Sequence, residues 1–240
     1  MRVEVWSDVV CPWCYIGKRR LEDALDRFEH ADQVEVVWRS FELDPSAPPT
    51  REGDYATRLA TKYRIPVEEA EAMIDRMTRV GDDTGVDMRF DRARPGNTFD
   101  AHRLLHLAAD RGLQGALKER LLAATFTEGR PIGERETLVR LAGEVGLDEE
   151  EARGVLAGDA YAADVRADER QAQAFGIGAV PFFVLDGRYG VPGAQPSDVL
   201  VGALEQAWAS ADRQAAPVPA PAPGSGSATA PGCEDGACAV

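Results

Sequence analysis

The 240-residue sequence has few cysteines and no long hydrophobic run. Its four cysteines, Cys11, Cys14, Cys233 and Cys238, lie near the two ends of the chain and are too few to form a disulfide scaffold at this length. No apolar segment approaches the length of a membrane span, and the first residues lack the features of a secretory signal. We therefore expect a cytoplasmic protein with no membrane partner.

Positive charge is also scarce. The sequence contains 27 Lys plus Arg against 41 Asp plus Glu, which gives a formal net charge of −14. This balance repels a phosphate backbone, and no cluster of basic residues offsets it locally. We therefore expect no nucleic-acid partner. The hydrophobic fraction of 44% is ordinary for a globular chain and supplies a sizeable core.

The apolar pattern predicts strands towards both ends of the chain and helices between them. Residues 3–6 and 34–38 have the β-branched and aromatic composition of strands, and the helical spacing between them completes a βαβ unit. Helical segments then run through residues 55–175, after which residues 180–185 return to a strand pattern. Beyond a closing helix, Pro, Ala, Gly and Ser dominate, which predicts a disordered tail.

Two cysteines three residues apart are the sharpest functional signal. Cys11 and Cys14 can close a disulfide ring at a helix start, where Pro12 suits the first helical position and makes Cys11 the cap residue. The first helical amides and the helix dipole would stabilise a Cys11 thiolate, with Cys14 as the sheltered resolving thiol. The alternatives are inert thiols or half of a zinc site, although no second ligand pair lies near in sequence.

The proline at the start of the third strand has two interpretations. A trans Val180-Pro181 bond would make Pro181 an ordinary strand-start residue. A cis bond would leave neighbouring backbone groups free to pair with an extended substrate chain. The local sequence favours the first interpretation, whereas the Cys-X-X-Cys pair on an N-terminal βαβ unit favours the second.

These features together resemble a thioredoxin-fold protein of the DsbA family. The resemblance rests on the order of the elements, on residues 7–17 around the Cys-Pro-Trp-Cys pair, and on residues 178–183. Residues 41–43, 97–103 and 191–195 are similar to the FrnE-like branch, which groups with 2-hydroxychromene-2-carboxylate isomerases and kappa-class glutathione transferases.

The resemblance implies an α/β protein: a thioredoxin fold with a large α-helical insertion. Residues 1–45 and 170–210 would form the thioredoxin-like domain, and residues 46–169 would form the insertion that caps the active-site face. Residues 211–240 would be the disordered tail.

The resemblance also implies thiol–disulfide exchange, with Cys11 as the attacking thiol, Cys14 as the resolving thiol and Pro181 as a cis-proline facing them. The isomerase and transferase relatives carry a serine where this chain has Cys11, so two cysteines favour redox chemistry. No cofactor or metal would be required. A low-molecular-weight thiol or a thioredoxin system would recycle the pair, and the partners would be protein or small-molecule disulfides.

Five further side chains are candidates for the substrate groove: Trp13, Val180, Asn97, His102 and Asp8. His102 lies beside a stripe of leucines, so a packed or surface side chain is the alternative. Asp8 precedes Cys11 by three residues and is a candidate proton acceptor during resolution, with loop capping as the alternative.

The second cysteine pair, Cys233 and Cys238, ends the tail. A coil of about twenty residues spans roughly 25 Å, so this pair is a candidate auxiliary redox pair that exchanges with Cys11 and Cys14. The alternative is an incidental tail with two exposed thiols, or weak capture of a soft metal.

Two other functions stay open at this stage. One is a glutathione-like conjugation or isomerisation of a small aromatic or polyketide molecule, as in the relatives. The other is a metal-holding or chaperone-like binding module, in which the cysteines are ligands and the helical groove binds chains.

Overall fold

The computed structural model describes residues 1–51 and 53–215. Its sheet has the strand order β2-β1-β3-β4, with β1 parallel to β2, and with β3 antiparallel to both β1 and β4. The strands are β1 (Arg2–Ser7), β2 (Glu35–Ser40), β3 (Phe182–Leu185) and β4 (Tyr189–Pro192). The third strand therefore lies beside the first, although most of the chain separates them.

Both faces of the central strand β1 are covered by helices, which explains why all its residues after Arg2 are buried. Val3 and Val5 pack on one face with α1 (Pro12–Asp26) and α9 (Ser197–Ala215). Trp6 packs on the opposite face. Its indole Nε1 donates a hydrogen bond of 3.0 Å to the carbonyl of Asp168.

Between β2 and β3 the described residues form a helical segment, as the periodicity predicts. Its helices are α2 (Tyr55–Tyr63), α3 (Val67–Asp83), α4 (Phe99–Asp110), α5 (Gln114–Ala123), α6 (Arg135–Glu144), α7 (Glu149–Ala157) and α8 (Ala162–Ala174). A π-helical turn over Ala124–Glu128 extends α5. Helices α4 to α7 share a core of leucines and alanines that also includes Val9 from the loop after β1. The insertion is thus packed directly against the loop that carries the cysteines.

A buried polar contact joins the insertion to the sheet. Asp168 on α8 is 3% exposed. It accepts a hydrogen bond of 2.9 Å from the Ser40 amide and pairs with Arg39 on β2 and His106 on α4. Because the carboxylate on α8 has partners on both β2 and α4, it holds α4 and α8 in register with the edge strand.

Two predicted boundaries differ from the structure. The predicted end of the insertion, between residues 169 and 170, lies inside the continuous helix α8. Helix α9 continues to Ala215, so residues 211–215 are helical and not part of the tail as predicted. Ala211, Arg213 and Gln214 are good helix formers, and the first strong helix breaker is Pro217. The rest of the predicted tail, with Cys233 and Cys238, lies outside the described residues.

Within the part of the chain that the structure describes, no helix is long and apolar enough to cross a membrane.

Candidate active site

Cys11 is the N-cap residue of α1, as the sequence predicts. Its backbone is extended, with φ −98° and ψ 113°, and Pro12 follows in the first turn. The loop from β1 closes through a 3.3 Å hydrogen bond from the Cys11 amide to the Asp8 carbonyl. Since a helix N-terminus has backbone amides without intrahelical partners, this position places the Cys11 sulfur next to free donors and the positive end of the dipole.

The two thiols are free and lie in different environments. Cys11 is 5% exposed and Cys14 is 1% exposed. Hydrogen bonding from the Cys14 thiol, together with the amides of Cys14 and Trp13, outweighs burial and lowers the pKa of Cys11. Burial and the neighbouring Cys11 sulfur raise the pKa of Cys14 well above its ordinary value. At neutral pH, Cys11 is therefore the better thiolate and Cys14 holds its proton.

The Val180–Pro181 peptide bond is cis, as the resemblance implies. The Cys11 thiol donates to the Val180 carbonyl at 3.6 Å, so the residue before the proline lies directly against the attacking sulfur. The Pro181 carbonyl accepts a 2.8 Å hydrogen bond from the Gly193 amide. Trp13 beside Cys11 is 37% exposed. Cys11, Trp13, Val180 and Pro181 thus lie together at one edge of the fold.

Gly17 allows α1 to approach this proline closely. A Cβ at Gly17 would lie 2.8 Å from Pro181 Cγ and 3.4 Å from the Phe183 ring. We expect Gly17→Ala to destabilise the protein by about 1–3 kcal/mol and to slow thiol exchange, because the helix and the proline must separate. The matched control is Gly154→Ala on α7, where a Cβ meets nothing within 4 Å. Urea unfolding that gives both variants equal stability would contradict this close-approach account.

Asp8 lies behind the cysteine pair and is fully buried. One carboxylate oxygen accepts a 2.8 Å hydrogen bond from the Leu43 amide, and the other lies 3.4 Å from Nε2 of His102. Although burial raises the pKa of Asp8, the facing His102, the Leu43 amide and Lys118 together lower it below its ordinary value. Asp8 therefore caps a loop and also carries a charge beneath the cysteines.

His102 and Asn97 do not line the groove as predicted. His102 on α4 is only 1% exposed, because it is packed between its own helix and Asp8. The Asn97 side chain holds the start of α4, since it accepts from the Phe99 amide at 3.0 Å and donates to the Pro45 carbonyl at 3.3 Å. Both residues position backbone and charge rather than contacting the groove surface.

Sequence reasoning missed Lys118, which lies on α5 and is 0% exposed. Its ammonium nitrogen lies 3.4 Å from the Ser7 carbonyl, next to Asp8. Its burial could have been predicted from the sequence, because its spacing from Leu117, Leu121 and Leu122 puts it on the apolar face of the helix. A lysine at such a position is seldom buried without a specific role.

A cleft of about 280 Å³ opens beside the cysteine loop. Asp8 and Val10 form part of its wall, and three cations, Arg51, Arg58 and Lys62, lie around it. Its remaining lining residues are Leu43, Asp44, Ala47, Tyr55, Leu59, Pro95, Gly96 and Thr98. The cleft therefore combines apolar walls with positive charge, which suits a small molecule that carries a carboxylate. Within the described ranges, no group of three or more His, Cys, Asp or Glu side chains is arranged to hold a metal ion.

Comparison with known proteins identifies the family. The chain matches the family model of the DSBA-like thioredoxin domain over residues 2–205. It is 30% identical over 206 residues to the uncharacterized protein YwbO of Bacillus subtilis (strain 168), which covers 85% of this chain and 96% of that protein. A probable DsbA oxidoreductase from Streptomyces coelicolor is 49% identical, with a TM-score of 0.83 over 87% of this chain and 90% of that chain. The chain belongs to the DsbA-like thioredoxin family.

Two more distant structures share the fold. The cytosolic disulfide reductase DsbM from Pseudomonas aeruginosa, solved with GSH, is 21% identical, with a TM-score of 0.59 over 90% of this chain and 99% of that chain. A 2-hydroxychromene-2-carboxylate isomerase is 15% identical, with a TM-score of 0.61 over 90% of this chain and 98% of that chain. Both structures have the fold that the resemblance to the FrnE-like branch implies.

Proposed function

We propose that this protein is a cytoplasmic thiol–disulfide oxidoreductase that acts as a reductase or disulfide isomerase through Cys11 and Cys14. The observation that carries the proposal is the asymmetry of the two thiols. Cys11 caps a helix and has a lowered pKa, whereas Cys14 is buried and has a raised one. Cys11 is therefore suited to attack the substrate disulfide, and Cys14 is suited to resolve the mixed disulfide afterwards. The cytosolic neighbour DsbM and the cytosol's reducing conditions favour reduction or isomerisation over net oxidation.

The reaction has two exchange steps. The Cys11 thiolate attacks a substrate disulfide, forms a mixed disulfide and releases one substrate sulfur as a thiolate, which takes up a proton. Cys14 then loses its proton, attacks the Cys11 sulfur and closes the Cys11–Cys14 disulfide. The second substrate sulfur leaves with the bonding electron pair and is protonated. The candidate first acceptor of the Cys14 proton is Asp8, a buried carboxylate in the same loop.

Substrate binding is expected at the edge where Trp13, Val180 and Pro181 surround Cys11. Trp13 offers an exposed apolar surface next to Cys11 in the chain. The Cys11–Cys14 disulfide that forms on the enzyme must be reduced before the next reaction, so a reductant is needed. The cationic cleft supports a low-molecular-weight thiol that carries carboxylates, and a thioredoxin system is the other candidate for this role.

The pH dependence of Cys11 alkylation tests the proposal. We expect the alkylation rate of Cys11 to reach half of its plateau below pH 8.5, the ordinary pKa of cysteine, because its thiolate is stabilised. The rate of Cys14 should still rise at pH 9, because burial holds its proton. Mass spectrometry of the modified peptides separates the two sites. A Cys11 midpoint at or above about 8.5 would contradict a redox role.

The cleft also favours a second candidate, conjugation or isomerisation of a small anionic molecule with a bound thiol. Its support is the set of Arg51, Arg58 and Lys62 in the cleft beside the cysteine loop, together with the isomerase among the structural neighbours. In that case Cys14 would be dispensable, whereas thiol–disulfide exchange needs both cysteines. Activity of a Cys14→Ser variant therefore separates the two functions.

A further inference from the structure

Lys118 is a buried ammonium group that lies next to Asp8 and interacts with its charge. No carboxylate oxygen among residues 1–51 and 53–215 forms an ion pair with it, unlike Lys18, which pairs with Glu22 and Glu119. Its contacts are the Ser7 carbonyl at 3.4 Å and the ring of Trp38, whose centroid lies 5.6 Å from Nζ. Burying such a charge costs free energy, so packing alone does not account for a lysine at this position.

The groups that act on Lys118 belong mainly to the redox site. Cys14, Asp8 and Cys11 favour its charged form, and Lys18 on α1 opposes it. Burial lowers the pKa of Lys118 to about 8, so the ammonium form predominates at neutral pH. In return, Lys118 lowers the pKa of both Cys14 and Asp8. Two further ionisable neighbours of this cluster are His102, which faces Asp8, and Tyr55, which interacts with Cys11.

We propose that Lys118 is a positioning residue of the exchange site: its buried ammonium, supplied by the inserted helix α5, stabilises the Cys14 thiolate and so sets how fast a mixed disulfide is resolved. The inference rests on the proposed function and assigns part of the redox site to the insertion. The α5 helix delivers the charge because Leu117, Leu121 and Leu122 anchor its apolar face.

The step that Lys118 assists is the second exchange. Cys14 gives up its proton, and the resulting thiolate attacks the Cys11 sulfur. The bond between Cys11 and the substrate sulfur breaks, the electron pair leaves with that sulfur, and the released proton ends on it through solvent. Lys118 keeps its own proton throughout. Its charge stabilises the site most when Cys14 carries negative charge. Lys118 is therefore expected to change the rate of resolution more than the rate of the first attack.

Reaction with 5,5′-dithiobis(2-nitrobenzoate) follows both steps in one stopped-flow trace. The full chain is used with Cys233→Ser and Cys238→Ser, so that only Cys11 and Cys14 release the coloured thiolate. The first phase reports attack by Cys11, and the second reports resolution by Cys14. We expect Lys118→Met to slow the second phase about tenfold at pH 7 and to raise its pH midpoint by about one unit. The first phase should change less.

The variants separate charge from packing. Urea unfolding of Lys118→Met measures its effect on stability separately from its effect on the two exchange phases. Lys118→Arg keeps a cation and should retain the parental midpoint. Arg140→Met on α6 removes an exposed cation of similar length and should leave both phases unchanged.

Every outcome either supports or overturns the proposed role of Lys118. An unchanged second phase in Lys118→Met, or a midpoint raised equally in Lys118→Arg, overturns the role of Lys118. If Lys118→Met does not fold, the midpoint of Lys118→Arg decides alone: a parental value supports the proposal and a raised value overturns it. A missing first phase in the parent instead removes the proposed function, so the two failures are distinguishable.

Discussion

Cys14→Ser is expected to stop the reaction at a mixed disulfide, and Cys11→Ser is expected to abolish exchange. Cys11 has the lowered pKa and lies at the edge of the fold, so it forms the first bond with substrate. Without Cys14 no sulfur is available to release the substrate. Serine at position 11 stays protonated at neutral pH, so we expect a rate loss on the order of 10³-fold or more.

Non-reducing gel electrophoresis and mass spectrometry check this result. The Cys14→Ser protein, mixed with a disulfide peptide, should gain the mass of one peptide half, and a reductant should remove it. The double variant Cys233→Ser/Cys238→Ser is the control for trapping by the tail. An adduct that forms on Cys14 in Cys11→Ser at the parental rate would reverse the assignment of the two thiols.

Arg103→Met is expected to destabilise the insertion by about 3–5 kcal/mol. The guanidinium is 3% exposed. It donates to the carbonyls of Val155, Gly158 and Ala160 and pairs with Asp100. The carbonyls of Val155 and Gly158 lie at the C-terminal end of α7, where backbone acceptors lack intrahelical partners. Removal of the arginine leaves several buried acceptors unpaired at once.

Urea unfolding measures the loss. Arg111→Met is the matched control, because Arg111 caps the same helix α4 but forms an exposed ion pair with Glu151. An exposed pair of this kind contributes roughly 0–1 kcal/mol. Arg103→Lys should recover only a small part of the loss, since one ammonium cannot reach all of these acceptors. Equal stability of Arg103→Met and Arg111→Met would show that the buried network contributes little.

Local patterns in the sequence were sufficient for the features that depend on near neighbours. The cap position of Cys11, the start of α1 at Pro12 and the helical middle follow from spacing and residue type, and the structure has all three. The cis bond before Pro181 was favoured only when the N-terminal cysteines were considered with it. Nothing near residue 181 in the chain reports that Cys11 lies 3.6 Å from the Val180 carbonyl.

Contacts between distant segments explain the errors. The resemblance suggested His102 for the groove, but the loop carrying Asp8 covers it, and the alternative of a packed side chain is correct. Lys118 was overlooked because its partners, Ser7 and Trp38, belong to strands about a hundred residues away. Both residues acquire their environment only when the insertion docks on the sheet, which a periodicity argument does not describe.

The pairing of β1 with β3 has a consequence for the newly synthesised chain. The ribosome makes Cys11 and Cys14 early, whereas the Val180 carbonyl that contacts Cys11 comes 169 residues later. At ordinary translation rates that interval lasts roughly 10–30 s. During that time the sheet has only its parallel β1–β2 pair, because β3 and β4 have not been synthesised. The nascent polypeptide therefore exposes a reactive dithiol to the surrounding pool of thiols and disulfides before its own substrate edge exists.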